Sequence, residues 1–214
     1  MGSDGDERQA AENAAARQPL GIALFPLAAV LFPGGLLSLK VFEQRYLEMA
    51  ADCLRQGLPF GVCLIASGDE VGAPAAPWAV GTLAHIVEAD MPQLGIMLLS
   101  VRGGRRFRIE QRKVMPGGLL RASVTLLDEP ERQALPPEYA RLGAVLQQIV
   151  MRLASDQAPD ASVFDDASWV SYQLADALPL ANLAKQKLLE LDDPVARLQA
   201  LASYLSLQQL IAEE

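Results

Sequence analysis

The chain has 214 residues, of which 51% are hydrophobic and 21% charged, so it can bury a sizeable core and is not a disordered protein. Its formal net charge of −8 argues against a general nucleic-acid coat protein, because Lys and Arg side chains drive binding to phosphates. The charge is uneven: residues 1–19 carry −2, residues 20–130 are neutral, and residues 131–214 carry −6. Two compositional halves therefore follow a short N-terminal segment.

The N-terminal region combines a polar segment with a long uncharged stretch. Residues 1–19 are small and polar without an apolar period, which predicts a disordered tail. The 22 residues between Arg17 and Lys40 carry no charge, but two prolines and a Gly-Gly pair divide them into pieces too short for a membrane span. The preceding segment is acidic, unlike a secretory signal. We therefore expect buried strands, no membrane partner and a cytoplasmic protein.

Residues 20–130 have the pattern of a β-rich domain with one helix. Short apolar runs separated by Gly- and Pro-containing turns predict seven or eight strands. Besides a short extended piece at Val30–Phe32, the predicted strands are Leu20–Phe25, Leu36–Val41, Phe60–Ala66, Val80–Ala89, Ile96–Val101, Arg106–Gln111 and Leu119–Leu127. A turn at Gly103-Gly104 is expected between the fifth and sixth long strands. Helical spacing begins at Phe42 and Gly57 ends it, so we expect a closed or nearly closed barrel with one inserted helix.

Residues 131–214 have a helical pattern. The segment Pro136-Pro137-Glu138 opens a first helix, and Asp165 or Asp166 caps a second. Leu180–Leu191 forms a third, and Asp193-Pro194 opens the last. Four helices with short connections predict a bundle. The fold class expected is therefore α+β, with a β-barrel followed by a four-helix bundle.

Side chains that could carry chemistry are few and scattered. Cys53 and Cys63 do not make a disulfide framework, so we expect reduced, buried thiols. His85 is the only histidine and has no ligand cluster around it, which favours a structural role. Glu88 and Asp90 share one face of a strand, but nothing beside them supplies an electrophile, and a solvated strand end is expected. No metal or cofactor is predicted.

The segment Arg102–Arg121 is strongly basic, with a net charge of +6. Its seven basic residues are Arg102, Arg105, Arg106, Arg108, Arg112, Lys113 and Arg121. Strand alternation predicts that Arg106, Arg108 and Arg112 share one face. Such a ridge, together with Arg102 and Arg105, is typical of an RNA-binding surface. In the alternative interpretation, the arginines form ion pairs with acidic residues of the helical half. We favour the second interpretation, because 6% aromatic residues offer few platforms for stacked bases.

Apolar residues in two predicted turns are candidates for a partner-binding surface. Phe32 and Pro33 lie in one turn and Trp78 ends a Gly- and Pro-rich loop. Exposed apolar side chains of this kind can form a groove for unfolded peptide. The same residues can equally be part of the core, and the sequence leaves both interpretations open.

Five segments in order resemble the N-terminal substrate-binding domain of Lon proteases. They span most of residues 20–210. The matching segments are Leu24–Leu27 with Val30–Gly34, Phe42–Tyr46, Val80–Ile86, Val101–Phe107, and Lys185–Glu190 with Arg197-Leu198. The resemblance implies a PUA-like barrel followed by a helical bundle, in agreement with the pattern of strands and helices.

The resemblance also implies a function. The chain contains no G-x-x-x-x-G-K-[ST] loop and no G-x-S-x-G elbow, so the ATPase and protease activities of full-length Lon enzymes are not expected here. An unrecognised hydrolase is a third, weaker hypothesis. A stand-alone, non-enzymatic module is expected, which binds unfolded polypeptide segments or a protein partner. RNA binding through Arg102–Lys113 is the alternative. The oligomeric state stays open.

Overall fold

The computed structural model describes residues 19–153 and 160–207. They form two compact units, one of them a β-rich unit that extends to Leu31 and continues from Leu36 to Asp128. The other is a helical unit that begins at Glu129 and also includes Phe32–Gly35. The sequence pattern assigns those four residues to the barrel, so their place in the helical unit is a difference from the prediction.

The β-rich unit contains seven strands in its described residues. They are β1 (Leu20–Leu27), β2 (Leu36–Val41), β3 (Phe60–Ser67), β4 (Ala76–Pro77), β5 (Val80–Gln93), β6 (Ile96–Val114) and β7 (Leu120–Leu126). Strands β1, β7, β6, β5 and β3 are successive neighbours, and β1 also pairs in parallel with β3. This last pairing closes a ring of five strands. The predicted α+β fold with an N-terminal barrel is confirmed.

One helix, α1 (Gln44–Gln56), is inserted between β2 and β3. Its apolar side packs on the barrel, where Tyr46 stacks on Phe25 with ring centroids 4.1 Å apart. Gly57 ends the helix in the left-handed conformation with φ of 65°, and its N–H donates to the Cys53 carbonyl. The predicted stop at Gly57 is confirmed.

Strand β6 is continuous through Gly103-Gly104, so the turn predicted there is wrong. The glycines lie at a bulge against β5, where the register shifts between Thr82 and Ala84. A Cβ on Gly104 would lie 2.7 Å from Nε2 of His85. Gly104 therefore lets the His85 ring cross close to the backbone of β6, which a larger residue would prevent.

The helical unit contains four α-helices in its described residues. They are α2 (Ala140–Leu153), α3 (Ala167–Ala177), α4 (Asn182–Glu190) and α5 (Pro194–Leu207), with 3₁₀ turns at Pro137–Tyr139 and Ala161–Asp165. The Asp166 carboxylate accepts from Ser168 N–H at 2.9 Å at the start of α3, which confirms that predicted cap. None of the helices within 19–153 and 160–207 is long and apolar enough to cross a membrane.

A buried arginine joins three of these helices. Arg197 on α5 is fully buried, and its Nε donates to the Leu188 carbonyl of α4 at 3.0 Å. Its Nη1 donates to Oγ of Ser171 on α3 at 2.8 Å, and its Nη2 donates to the Leu191 carbonyl. The guanidinium also lies 3.7 Å from the ring centroid of Tyr172. The core of the helical unit is therefore organised around one charged group.

The turn Phe32–Gly35 is held by α3. Phe32 is fully buried, with its ring centroid 5.9 Å from that of Tyr172. Nε2 of Gln173 donates to the Pro33 carbonyl at 3.4 Å, and Gly34 has a positive φ of 75°. These contacts explain why this short segment is part of the helical unit.

Candidate functional site

The three apolar candidates are not brought together within one unit. Phe32 is completely buried in the helical unit, and Pro33 beside it is half-buried. Trp78 belongs to the β-rich unit, where it is half-buried and its N–H donates to the Leu64 carbonyl at 2.8 Å. In this structure, Phe32 offers no surface to a partner.

Three of the basic residues are bound to main-chain carbonyls of their own unit. Arg106 is fully buried, and its Nη2 donates to the Asp128 carbonyl at 3.4 Å. Arg105 donates to the Leu127 carbonyl at 3.1 Å, and Arg112 donates to a carbonyl on β4 at 3.3 Å. Arg102 and Arg108 are exposed. The prediction of an exposed ridge that includes Arg106 is therefore wrong, because that side chain is fully buried and bonded to the Asp128 carbonyl.

A bulge also divides the predicted basic face. Ile109 pairs with Val124, but two residues later the partner strand has advanced by only one position, so Glu110 is an extra residue. The bulge places Arg112 on the same face as Ile109, whereas Arg108 lies on the opposite face. The prediction that Arg106, Arg108 and Arg112 share one face is wrong for this reason. Pairing of the arginines with acids of the helical half stays a prediction.

The remaining reactive side chains do not converge. Glu88 and Asp90 are exposed on the same face of β5, as predicted. Cys63 is buried as predicted, whereas Cys53 is only half-buried. Burial raises the pKa of both thiols, so neither is poised as a thiolate nucleophile. Within the described ranges, no group of three or more His, Cys, Asp or Glu side chains could hold a metal ion.

A groove of about 430 Å³ lies on the β-rich unit, between α1, the first residues of β1, and the turn that joins β6 to β7. We call it the α1 groove. Its volume falls within the usual range for ligand sites. Its apolar lining comes from Ile22, Ala23, Met49, Met115 and Leu119. Two methionines suit a surface that adapts to different side chains.

Arg45 holds two walls of the α1 groove together. It lies at the start of α1, and its Nη1 donates to the carbonyl of Gly118, in the β6–β7 turn, at 3.2 Å. Its Nη2 is 2.9 Å from a carboxylate oxygen of Glu43, and the side chain is only 7% exposed. Gly118 has a φ of 85°, and a Cβ there would lie 3.1 Å from Arg45 Nη1. The turn is therefore shaped to fit the guanidinium.

The charges that line the α1 groove balance. The acidic residues of the lining are Glu48 and Asp52, one turn apart on α1. The basic residues of the lining are Arg45 and Arg121. Glu48 accepts from Nε2 of Gln44 at 2.7 Å. The groove therefore presents polar and apolar surface in about equal parts, and its charged residues carry no net charge.

A second groove, of about 410 Å³, lies in the helical unit between α4 and α5. Its lining is almost wholly apolar and includes Leu180, Leu188, Leu201 and Tyr204. The sequence pattern predicted neither groove. The only local signal for the α1 groove is the stripe of polar residues on α1 at every fourth position, which is equally typical of any solvated helix.

Comparisons with known proteins agree with this architecture. A family model described as the substrate-binding domain of ATP-dependent protease La (LON) matches residues 21–206. The chain belongs to the Lon substrate-binding domain family. No curated protein matches the sequence.

Two solved structures of Lon N-terminal domains share the fold. A Lon N-terminal domain protein from Xanthomonas campestris is 36% identical, with a TM-score of 0.72 over 86% of this chain and 98% of that chain. The N-terminal domain of a Mycobacterium avium complex Lon protease is 20% identical, with a TM-score of 0.59 over 87% of this chain and 98% of that chain. The PUA-like barrel that the resemblance implies is thereby confirmed.

The structure gives physical roles to the segments that resemble the Lon domain. Arg45, in the segment Phe42–Tyr46, ties α1 to the β6–β7 turn. Gly104, in the segment Val101–Phe107, makes room for His85. Arg197 is the hub of the helical unit. These three residues of the matching segments build the fold, and of the three only Arg45 also borders a groove.

Proposed function

We propose that this protein is a non-enzymatic module that binds segments of unfolded polypeptide or of a protein partner. The observation that carries the proposal is the α1 groove, whose lining is partly apolar and partly polar and whose charges balance. Membership of a family of substrate-binding domains supports it. A cytoplasmic location belongs to the same proposal and agrees with two unpaired cysteines.

Binding of an unfolded protein tests this function. A fluorescently labelled protein, reduced and carboxymethylated so that it stays unfolded, is titrated with the full chain and its anisotropy is measured. We expect saturable binding of the unfolded form and none of the same protein in its native form. Equal binding of both forms, or of neither, would contradict the function.

RNA binding is the second candidate, supported by one observation. Lys113 pairs directly with Arg121 across β6 and β7, and such a like-charge pair costs stability unless an anion lies beside it. RNA binding predicts an affinity for single-stranded RNA that falls steeply with salt. It also predicts a large loss in the variant Arg108→Glu with Lys113→Glu, both of which are exposed. Arg106 is unsuitable for this test because it is buried.

A further inference from the structure

We propose that the α1 groove binds an extended polypeptide segment by strand addition to the open edge of β1 at Leu20–Ala23. The bound segment pairs through its main chain with β1 and occupies the place that β3 leaves vacant. The proposal rests on the proposed function and adds a site and a mode of recognition. Recognition through the main chain tolerates many sequences, as strand addition does elsewhere.

The lining of the groove identifies it as a strand edge. Gly21, Ile22 and Ala23 are consecutive on β1, and all three line the groove. Successive side chains of a strand point to opposite faces, so a groove on one face of the sheet would contact only alternate residues. Ile22 and Ala23 in fact pack into two different apolar clusters. Contact with all three therefore indicates the edge of the backbone.

The pairing of β1 shows that the same edge lacks a strand partner, and of its residues Leu20 and Gly21 are exposed while Ile22 and Ala23 are buried. On one side, β1 pairs with β7 from Leu20 to Leu24. On the other side, its parallel pairing with β3 begins only at Leu24, opposite Gly61. Among the described residues, Leu20–Ala23 have no strand partner on that side. At about 3.3 Å per residue, this open edge is about 13 Å long.

The sequence before β3 explains why the pairing stops. If the register continued, Pro59 would stand opposite Ile22. Proline has no N–H to donate to a ladder, and Gly57 has already turned the chain through its left-handed conformation. Leu58 and Pro59 therefore form the far wall of the groove instead of a paired strand.

Gly21 keeps the edge accessible. A Cβ built on Gly21 meets no atom within 4 Å, and the residue has no positive φ, so neither packing nor conformation requires glycine. Glycine within a strand weakens it and often marks the close approach of another backbone. The exposed Gly21 therefore fits a position against which a bound segment lies.

The charge of the walls selects the probe. Because Glu48 and Asp52 balance Arg45 and Arg121, an uncharged segment fits the groove better than a strongly basic or acidic one. Its affinity should also depend little on salt, in contrast to RNA binding. A fluorescein-labelled peptide of four Val-Thr repeats is uncharged and favours the extended conformation.

The experiment compares three forms of this peptide on the unmodified full chain. In two of them alternate amides are N-methylated, at odd or at even positions. A strand pairs with one neighbour only through alternate residues, so we expect one methylated form to lose about tenfold in affinity and the other to bind almost as well as the unmethylated peptide. Equal affinities of the two methylated forms would overturn strand addition.

A variant places the binding at this edge. Gly21→Trp fills the groove entrance and is expected to lower affinity for the unmethylated peptide at least tenfold. Ser38→Trp puts the same bulk on an exposed position of β2 and should leave affinity unchanged. Circular dichroism checks that both variants are folded. Unchanged affinity in a folded Gly21→Trp protein would exclude this site.

The outcomes also separate this site from the proposed function. Loss of the site alone would leave binding of the unfolded protein intact in Gly21→Trp. Absence of binding to both the peptide and the unfolded protein would remove the function as well. A concentration-dependent dimer that Gly21→Trp converts to a monomer would assign the edge to a second copy of the chain and overturn the proposal.

Discussion

Two buried arginines, Arg45 in the β-rich unit and Arg197 in the helical unit, act in different ways. In the β-rich unit, Arg45 lies at the border of the α1 groove and joins α1 to the β6–β7 turn. The unpaired edge of β1 lines the same groove. In the helical unit, Arg197 is completely enclosed, and its donors are directed at the Leu188 and Leu191 carbonyls and at Ser171. Both residues fall in segments that resemble the Lon domain, yet one shapes a surface and the other closes a core.

The difference shows what a family signature can and cannot indicate. An arginine that satisfies several main-chain carbonyls is difficult to replace, because its removal leaves those buried acceptors unpaired. It therefore marks a family without being a site of binding. The binding residues proposed here, above all Gly21, make no specific side-chain contact. The largest effects on stability and the largest effects on binding are accordingly expected at different residues.

The largest effect on stability is expected for Arg197→Ala. This change removes a buried charge and takes one hydrogen bond each from the Leu188 carbonyl, the Leu191 carbonyl and Ser171 Oγ. We expect a loss of about 3–5 kcal/mol in the free energy of unfolding of the helical unit. Urea denaturation followed by circular dichroism measures it.

A matched control for Arg197→Ala comes from an exposed cation in the same unit. Lys187 pairs with Glu190 at 3.1 Å, with its side chain 61% exposed. Lys187→Ala should change the free energy of unfolding by less than about 0.5 kcal/mol. Similar losses in the two variants would mean that the enclosed hub is no more important than a surface ion pair.

Smaller effects on stability are expected from alanine substitutions at two glycines of the β-rich unit. The comparison distinguishes a glycine required by core packing from one that leaves space for a ligand. A Cβ on Gly81 would lie 2.5 Å from both Cys63 Sγ and the Val62 carbonyl, whereas a Cβ on Gly21 meets nothing within 4 Å. Gly81→Ala should therefore cost about 1–3 kcal/mol, because the core is overpacked. Gly21→Ala should be neutral or stabilising by up to about 1 kcal/mol.

Thermal denaturation of the two glycine variants checks this difference. A loss for Gly21→Ala as large as that for Gly81→Ala would show that Gly21 is required for folding. In that case the open space beside Gly21 would need another explanation than access for a ligand. A stable Gly21→Ala protein is the condition under which Gly21→Trp reports on binding.

Most of the fold could be predicted because it depends on local patterns. The stop of α1 at Gly57 and the cap of α3 at Asp166 each follow from a residue type and its immediate neighbours. The prediction of a turn at Gly103-Gly104 was wrong, because a pair of glycines is equally compatible with a turn and with a close packing contact inside a strand. Only the position of His85 on the neighbouring strand distinguishes them, and that position is a property of the folded sheet.

The α1 groove could not be predicted for a related reason. It exists because β1 continues past the point at which pairing with β3 stops, and the relative register of two strands far apart in sequence decides this. Pro59 was visible in the sequence, but its partner position opposite Ile22 was not. Likewise, the bulge at Glu110 redirected the arginines that strand alternation had placed on one face.

The smallest effect on stability is expected from two carboxyl groups of the helical unit, whose contributions to stability depend on pH in opposite directions. Burial raises the pKa of Asp176 above 3.8, although Lys185 lowers it in part. The folded state therefore binds this proton more tightly, and the contribution of Asp176 to stability falls as pH rises through 3.8 towards the raised pKa. Hydrogen bonds from Ser162 lower the pKa of Asp160, so its contribution is present above 3.8 and is lost as pH falls through the lowered value.

Asparagine variants of these two carboxyls separate a buried group from an exposed cap. Asp176→Asn should be more stable than the wild type near neutral pH, and the difference should vanish under acid conditions where the wild-type carboxyl is protonated. Asp160→Asn should be less stable than the wild type near neutral pH and equal to it in acid. Urea titrations at a series of pH values measure both, and differences of the same sign would contradict the assignment, because burial and hydrogen bonding by a cap act on a carboxylate in opposite directions.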